Sequence, residues 1–252
     1  MHRLVEKALK GETLVGTWLT INSPEVAEAL SLLPLDFLVI DMEHSPLDYY
    51  DVEVLLIVLK GSQAAGIVRV PWNDPVAIKR VLDLGPDGIL VPWVSSLEEA
   101  RMLEKAVLYP PEGIRGVGPR RAVKYGLVSR KDYYEKYMED LIVIAQVETR
   151  GAIENLEDIL SVETITGVLV GPSDLSASLG MFAQIESLHF KEILGEVAGK
   201  ARARKPLAAV YAPSLEFARE AVRLGFNMIA LSSDINVLVE AYSEMIKTFK
   251  SG

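Results

Sequence analysis

Leu141-Ile142-Val143-Ile144-Ala145-Gln146-Val147-Glu148 is a run of apolar residues on both phases of a strand, and it ends on a carboxylate. Leu38-Val39-Ile40-Asp41-Met42-Glu43-His44 has the same form. Strands rich in Val, Ile and Leu on both phases are covered on both faces, the condition of a parallel sheet. Acidic residues at the exit of such a strand are poor for stability, because an unpaired carboxylate loses its hydration there. A metal ion or a cationic partner is the usual compensation.

Six further runs share the pattern, giving eight expected strands: Leu14–Ile21, Asp36–Asp41, Gly66–Val70, Gly88–Val91, Leu141–Val147, Gly167–Val170, Pro206–Tyr211 and Asn227–Leu231. Helical patterns lie between them. Asp74-Pro75 reads as an N-cap followed by proline at the first helical position. Ser96 with Glu99 reads as a capping box. Ser214 opens another helix, with Gly225 as its stop. Eight strands alternating with helices favour one (β/α)8 barrel domain over residues 1–252, and 252 residues suit that fold. A doubly wound sheet is the rival. It wants a glycine-rich turn after the first strand, and Thr17-Trp18-Leu19-Thr20-Ile21-Asn22-Ser23 has no glycine. The connection from Tyr109 to Lys136 is expected as a long loop, and Arg3–Lys10 and Ile235–Phe249 as amphipathic stretches flanking the barrel, the second packing on its own barrel or on a neighbour.

Composition narrows the function. The net charge of −9 argues against a nucleic-acid partner. The absence of cysteine excludes disulfides, thiolate metal sites and a cysteine nucleophile. No long uncharged apolar stretch indicates a membrane span, and the first residues hold no apolar signal core, so a cytoplasmic enzyme is expected.

The polar residues fall at carboxyl ends of the expected strands, where barrel enzymes build their sites. Asp41, Glu43 and His44 follow the second strand, and Arg69 ends the third. Glu148 ends the fifth, and Gly171-Pro172-Ser173-Asp174 follows the sixth. Each has a plain structural alternative. Asp41, Glu43 or Asp174 could cap a helix, Arg69 could lie on an edge strand, and Glu148 could pair with Arg150. Their joint placement favours a site. His44 beside two carboxylates is a better acid–base candidate than His2 or His189, the other two histidines.

The chemistry that fits is metal-assisted. Glu148 and Asp174, without a His or Cys cluster, suit a hard cation such as Mg²⁺ or Mn²⁺, with Co²⁺ also admissible. A 2-oxo acid would chelate there, Arg69 would neutralise enolate charge, and main-chain N–H groups near Ser173 and Asp174 would hold its carboxylate. Schiff-base chemistry is disfavoured, since no lysine sits at an assigned strand exit.

These elements also resemble a known family. Gly16-Thr17-Trp18, Asp41-x-Glu43-His44, Val68-Arg69-Val70-Pro71, Val91-Pro92, Tyr109-Pro110-Pro111-x-Gly113-x-Arg115-Gly116, Gln146-x-Glu148-Thr149 and Gly171-Pro172-x-Asp174-Leu175 run in order over nearly the whole chain. The set resembles the HpcH/HpaI class II, metal-dependent pyruvate aldolases. The resemblance implies Glu148 and Asp174 as metal ligands, Arg69 at the pyruvate keto oxygen and His44 as the acid–base residue. It implies Gln146 as a pyruvate contact and Asp41 as the residue that tunes the surroundings of His44. It implies Asp83 as a residue reaching the site of a neighbouring subunit. It also implies a homo-oligomer, trimer or hexamer, with exchanged C-terminal helices. Ser173 is expected to line the substrate pocket, and Trp18 either lines its acceptor side or is ordinary barrel packing. The expected reaction is cleavage of a 4-hydroxy-2-oxo acid, either a 2-keto-3-deoxy sugar acid or a 4-hydroxy-2-oxoheptanedioate-like compound, to pyruvate and an aldehyde. The alternatives are a citrate-lyase-β-like lyase acting on a CoA thioester and a non-catalytic 2-oxo-acid-binding barrel. The basic run Arg115, Arg120, Arg121, Lys124 suits either an anionic or polyhydroxylated acceptor or a solvated loop face.

Overall fold

The computed structural model describes residues 1–251, and Gly252 lies outside the described residues. All eight apolar runs form strands, each boundary within two residues of the expected one: β1 Leu14–Leu19, β2 Phe37–Asp41, β3 Ala65–Arg69, β4 Gly88–Val91, β5 Ile142–Val147, β6 Gly167–Val170, β7 Leu207–Ala212 and β8 Met228–Ser233. Each strand pairs in parallel with the next, and β8 closes on β1. The fold is a (β/α)8 barrel in a single domain, with helices in the connections.

Alternation along each strand sorts side chains into two layers. One phase, including Phe37, Val39, Ile67, Ile144, Leu169 and Ala209, fills the barrel axis. The other phase packs against the helices and forms the larger core. Because the period is two, the next residue on the axial phase keeps facing the axis. After Val39 that residue is Asp41, after Ile67 it is Arg69, after Ile144 it is Gln146, and after Ala209 it is Tyr211. The axial column is thus apolar through its middle and polar at the carboxyl end.

The opposite end is closed from within the chain. The N-terminal helix Arg3–Leu9 inserts Leu4, Val5 and Ala8 into the axial core. Lys7 pairs with Asp36 at 2.6 Å, and the other Asp36 oxygen accepts the Val15 N–H at 2.9 Å. The first of the two expected flanking stretches is therefore a plug that packs into the barrel end. The second, the helix Asp234–Ser251, runs clear of the barrel, with Asp234 its only buried residue. Asp234 fixes its start by accepting from the Thr20 hydroxyl and the main-chain N–H groups of Thr20 and Ile21.

The expected caps form, with one variation. Asp74 caps the helix Pro75–Asp83 and Ser214 caps Leu215–Arg223. Ser96 caps Leu97–Val107, but Glu99 returns to the Ser95 N–H at 2.7 Å, one residue earlier than a capping box requires. The connection after Tyr109 differs more. Its last part is the helix Arg130–Asp140, whose Tyr133, Tyr134 and Tyr137 pack edge-on against Tyr109. A helix anchored by tyrosines has no aliphatic periodicity to reveal it. Two residues of the basic run Arg115, Arg120, Arg121, Lys124 also point inward. Arg115 is buried against Asp83, and Arg121 donates to the carbonyls of Leu56 and Leu84 at two helix ends. Neither is on a solvated face.

Close approach of β1 to β2 depends on Gly16, which is in register with Phe37. A Cβ there would run into the Phe37 carbonyl oxygen and ring. Gly16→Ala is expected to lower stability by about 1–3 kcal/mol through overpacking, seen as a lower denaturant midpoint with an unchanged slope. An unchanged midpoint would mean that this approach does not constrain the barrel.

Candidate active site

The polar ends of the axial column meet at one mouth. A cavity of about 420 Å³ there is lined by Trp18, Thr20, Asp41, His44, Arg69 and Gln146, among others. Leu169, Gly171, Ser173 and Asp174 continue its wall, which closes through Tyr211, Ser233 and Asn236. Among the expected site residues, Asp41, His44, Arg69, Gln146, Ser173, Asp174 and Trp18 all belong to this lining. Glu148 lies at the exit of β5 and is 2% exposed.

Arg69 is the best-determined group. Asp41 accepts from its Nε at 2.8 Å and its Nη2 at 2.8 Å, and Glu43 Oε2 stands 2.8 Å from its Nη1 as an ion pair. The Trp18 ring lies 4.2 Å from the guanidinium carbon. A planar fork held by two carboxylates and an aromatic face has one orientation open to it. The local alternatives for these residues fail. Arg69 lies inside a closed sheet, which has no edge. The helix Tyr49–Val58 is capped by Asp48, so neither Asp41 nor Glu43 caps it. Gly171 occupies the cap position of Pro172–Ser178, and Asp174 lies in the first turn.

Asp41 reaches His44 through the main chain. Its Oδ1 accepts the Glu43 N–H at 2.9 Å and the His44 N–H at 3.4 Å. Burial alone would push the Asp41 carboxyl up, but the Arg69 hydrogen bonds and charge, with those N–H groups, hold it below its ordinary value. His44 is exposed at the mouth.

Glu148 has the opposite balance. Its Oε1 accepts the Trp93 N–H at 2.7 Å, and its Oε2 accepts from the Gln146 amide. Burial pushes its pKa up to about 7, and the charges of Glu43 and Asp174 add to the push. Burial also raises the Glu43 carboxyl, against the pull of Arg69. Among the described residues, the one Lys or Arg lining this mouth is Arg69, which is engaged by Asp41 and Glu43, leaving Glu148 and Asp174 without an ion-pair partner. Gly171, with no Cβ, sits beside Glu148 Oε2, and the Gln146 Oε1 is buried without a partner. An all-oxygen donor set and a surplus of negative charge fit a hard divalent cation. No group of three or more His, Cys, Asp and Glu side chains is poised for a metal among the described residues. Two carboxylates would leave the remaining positions to water and substrate.

Asp83 stands apart. It ends the helix Pro75–Asp83 on the outside of the barrel and pairs with the buried Arg115 at 2.9 Å. Trp93 is a residue of the site that sequence reasoning passed over. Its backbone is in the left-handed region, φ 59°, its N–H serves Glu148, and its indole Nε1 donates to Glu43 at 3.2 Å. Val91-Pro92 marks the strand end, but nothing in a tryptophan signals positive φ.

Comparison with known proteins agrees with this architecture. Residues 14–241 match the family described as HpcH/HpaI aldolase/citrate lyase. The chain is 35% identical over 237 residues to the 5-keto-4-deoxy-D-glucarate aldolase of Escherichia coli K12, covering 94% of this chain and 92% of that protein. A crystal structure of an HpcH/HpaI aldolase/citrate lyase family protein from Burkholderia cenocepacia J2315 superposes with a TM-score of 0.92 at 29% identity, covering 99% of this chain and all of that one. The HpcH/HpaI aldolase from Desulfitobacterium hafniense DCB-2 gives 0.91 at 28% identity, with 99% and 97% covered. With its sequence, its fold and its ring of polar residues all in agreement, the chain belongs to the HpcH/HpaI aldolase/citrate lyase family and is a carbon–carbon lyase.

Proposed function

We propose that this protein is a divalent-cation-dependent aldolase that cleaves a 4-hydroxy-2-oxo acid to pyruvate and an aldehyde. The observation that carries the reading is the unneutralised Glu148–Asp174 pair beside a fully clamped Arg69. When bound by those two carboxylates, the cation supplies Lewis acidity toward the carboxylate and keto oxygens of the 2-oxo acid. Mg²⁺ and Mn²⁺ suit the oxygen donors. Arg69 presents a fixed positive charge to the oxygen that becomes negative as the C3–C4 bond breaks, with no reorganisation required. His44 takes the proton from the C4 hydroxyl as the C3–C4 bond breaks, protonation of the enolate at C3 then gives pyruvate, and in the synthetic direction His44 returns a proton to the new C4 oxygen. Gln146 orients the oxo acid. The first turn of Pro172–Ser178, which has no side-chain cap, offers N–H groups to its carboxylate.

The aldehyde half lies toward Trp18, Thr20, Tyr211, Ser233 and Asn236. Hydroxyl and amide groups on this wall favour a polyhydroxylated acceptor, hence a 2-keto-3-deoxy sugar acid as substrate. The likeness to a 5-keto-4-deoxy-D-glucarate aldolase supports the same choice. The protein assembles as a homo-oligomer in this reading. The helix Asp234–Ser251 leaves Val239, Tyr242, Met245, Ile246 and Phe249 exposed, a face suited to a second copy. No helix among the described residues is long and apolar enough to cross a membrane.

The direct test is exchange of deuterium into the methyl group of pyruvate, followed by NMR. Exchange is expected with Mg²⁺ or Mn²⁺ and absent with EDTA. Glu148→Gln, close to isosteric, is expected to abolish it while leaving the circular dichroism spectrum unchanged; full exchange in the variant would remove the ligand role. His44→Ala is expected to slow aldol cleavage ~10²–10⁴-fold, and wild-type cleavage rates would exclude His44 as the acid–base group. The raised pKa of Glu148 has a definite sign. In the cation-free protein this carboxyl is protonated below about pH 7, so the cation must displace a proton there. Mn²⁺ affinity measured by calorimetry is expected to rise about tenfold per pH unit below 7 and to level off above it. A pH-independent affinity would contradict Glu148 as a ligand.

A further inference from the structure

We propose that Trp93 is the positioning residue of the cation site, and that it acts through its left-handed backbone. This rests on the reading of Glu148 as a cation ligand. The residue follows Pro92 at the exit of β4, between the strands that supply Arg69 and Glu148. Its φ of 59° is unusual for a bulky residue and is sustained only when the surroundings enforce it. Two contacts enforce it. The indole Nε1 donates to Glu43 Oε1 at 3.2 Å, and the ring lies against the Trp72 ring with centroids 5.3 Å apart at 31°.

The consequence falls on Glu148. With the Trp93 backbone turned this way, its N–H donates to Glu148 Oε1 at 2.7 Å. That oxygen is committed, and the other, Oε2, which accepts from the Gln146 amide, lies on the side of Gly171. Trp93 thus selects which carboxylate oxygen lies beside Gly171, a residue of the cavity wall. In an extended conformation the same N–H would point elsewhere, and the carboxylate would be free to turn. The buried carboxylate has one other hydrogen bond, from Gln146 on its own strand. Trp93 is the contact that fixes it from outside β5. Partners of this kind around metal ligands alter cation affinity by about 10–100-fold when removed.

The test separates backbone from ring. Trp93→Gly and Trp93→Asn delete the indole but accept positive φ, whereas Trp93→Val and Trp93→Thr delete it and oppose positive φ. Each is assayed for Mn²⁺ binding by calorimetry, at equal folded fraction by circular dichroism. The Gly and Asn variants are expected to bind within about threefold of wild type, and the Val and Thr variants at least tenfold more weakly. Equal affinity across all four would overturn the proposal, as would equal weakening in all four, which would assign the effect to the ring. Wild-type protein that binds no Mn²⁺ would instead overturn the cation reading itself. The use of two variants of each class keeps the result independent of one that folds poorly.

Discussion

The buried ion cluster of Arg69, Asp41 and Glu43 is the constraint around which the mouth of this barrel is organised. A guanidinium this deeply buried is retained only with matched anions, and removing one partner of such a pair costs about 3–5 kcal/mol. Here the match exceeds neutrality, with two carboxylates on one cation. Asp41 also holds the turn after β2 through the N–H groups of Glu43 and His44. One carboxylate therefore fixes both the cation and the main chain that presents the acid–base candidate. The pKa of about 7 at Glu148 comes first from burial, and the charges of Glu43 and Asp174 add to it.

Much of this was legible in the chain. Eight two-phase apolar runs determine eight buried parallel strands, and strand boundaries follow because Gly, Pro and Asp interrupt the runs. The site was legible for a related reason: a charged residue on the axial phase of a buried strand must lie at an end, and Asp41, Arg69 and Glu148 all do. What escaped has physical causes too. The helix Arg130–Asp140 carries its apolar face as tyrosines, which count for little in a periodicity of aliphatic residues. The inward turn of Arg115 and Arg121 was invisible because their partners, a carboxylate and two helix-end carbonyls, are remote in sequence. Trp93 escaped because its role lies in a backbone angle, and side-chain chemistry does not encode that.

The ends of the barrel do different work. At the amino-terminal end Leu4, Val5 and Ala8 close the axis with apolar packing, and the Lys7–Asp36 pair ties that helix to the start of the sheet. At the carboxyl end the axis is left polar and open. The apolar middle between them insulates one from the other, so charge surplus at the mouth is tolerated without loosening the base.

A similar partition runs around the rim. The groups proposed to handle the oxo acid come from β2, β3, β5 and the β6 turn, while Tyr211, Ser233 and Asn236 come from the arc of β7, β8 and the start of the last helix. Descendants of this gene can accumulate changes on the second arc without disturbing the first. New acceptor preferences are then within reach of a few substitutions, and the shared bond-breaking machinery is inherited intact.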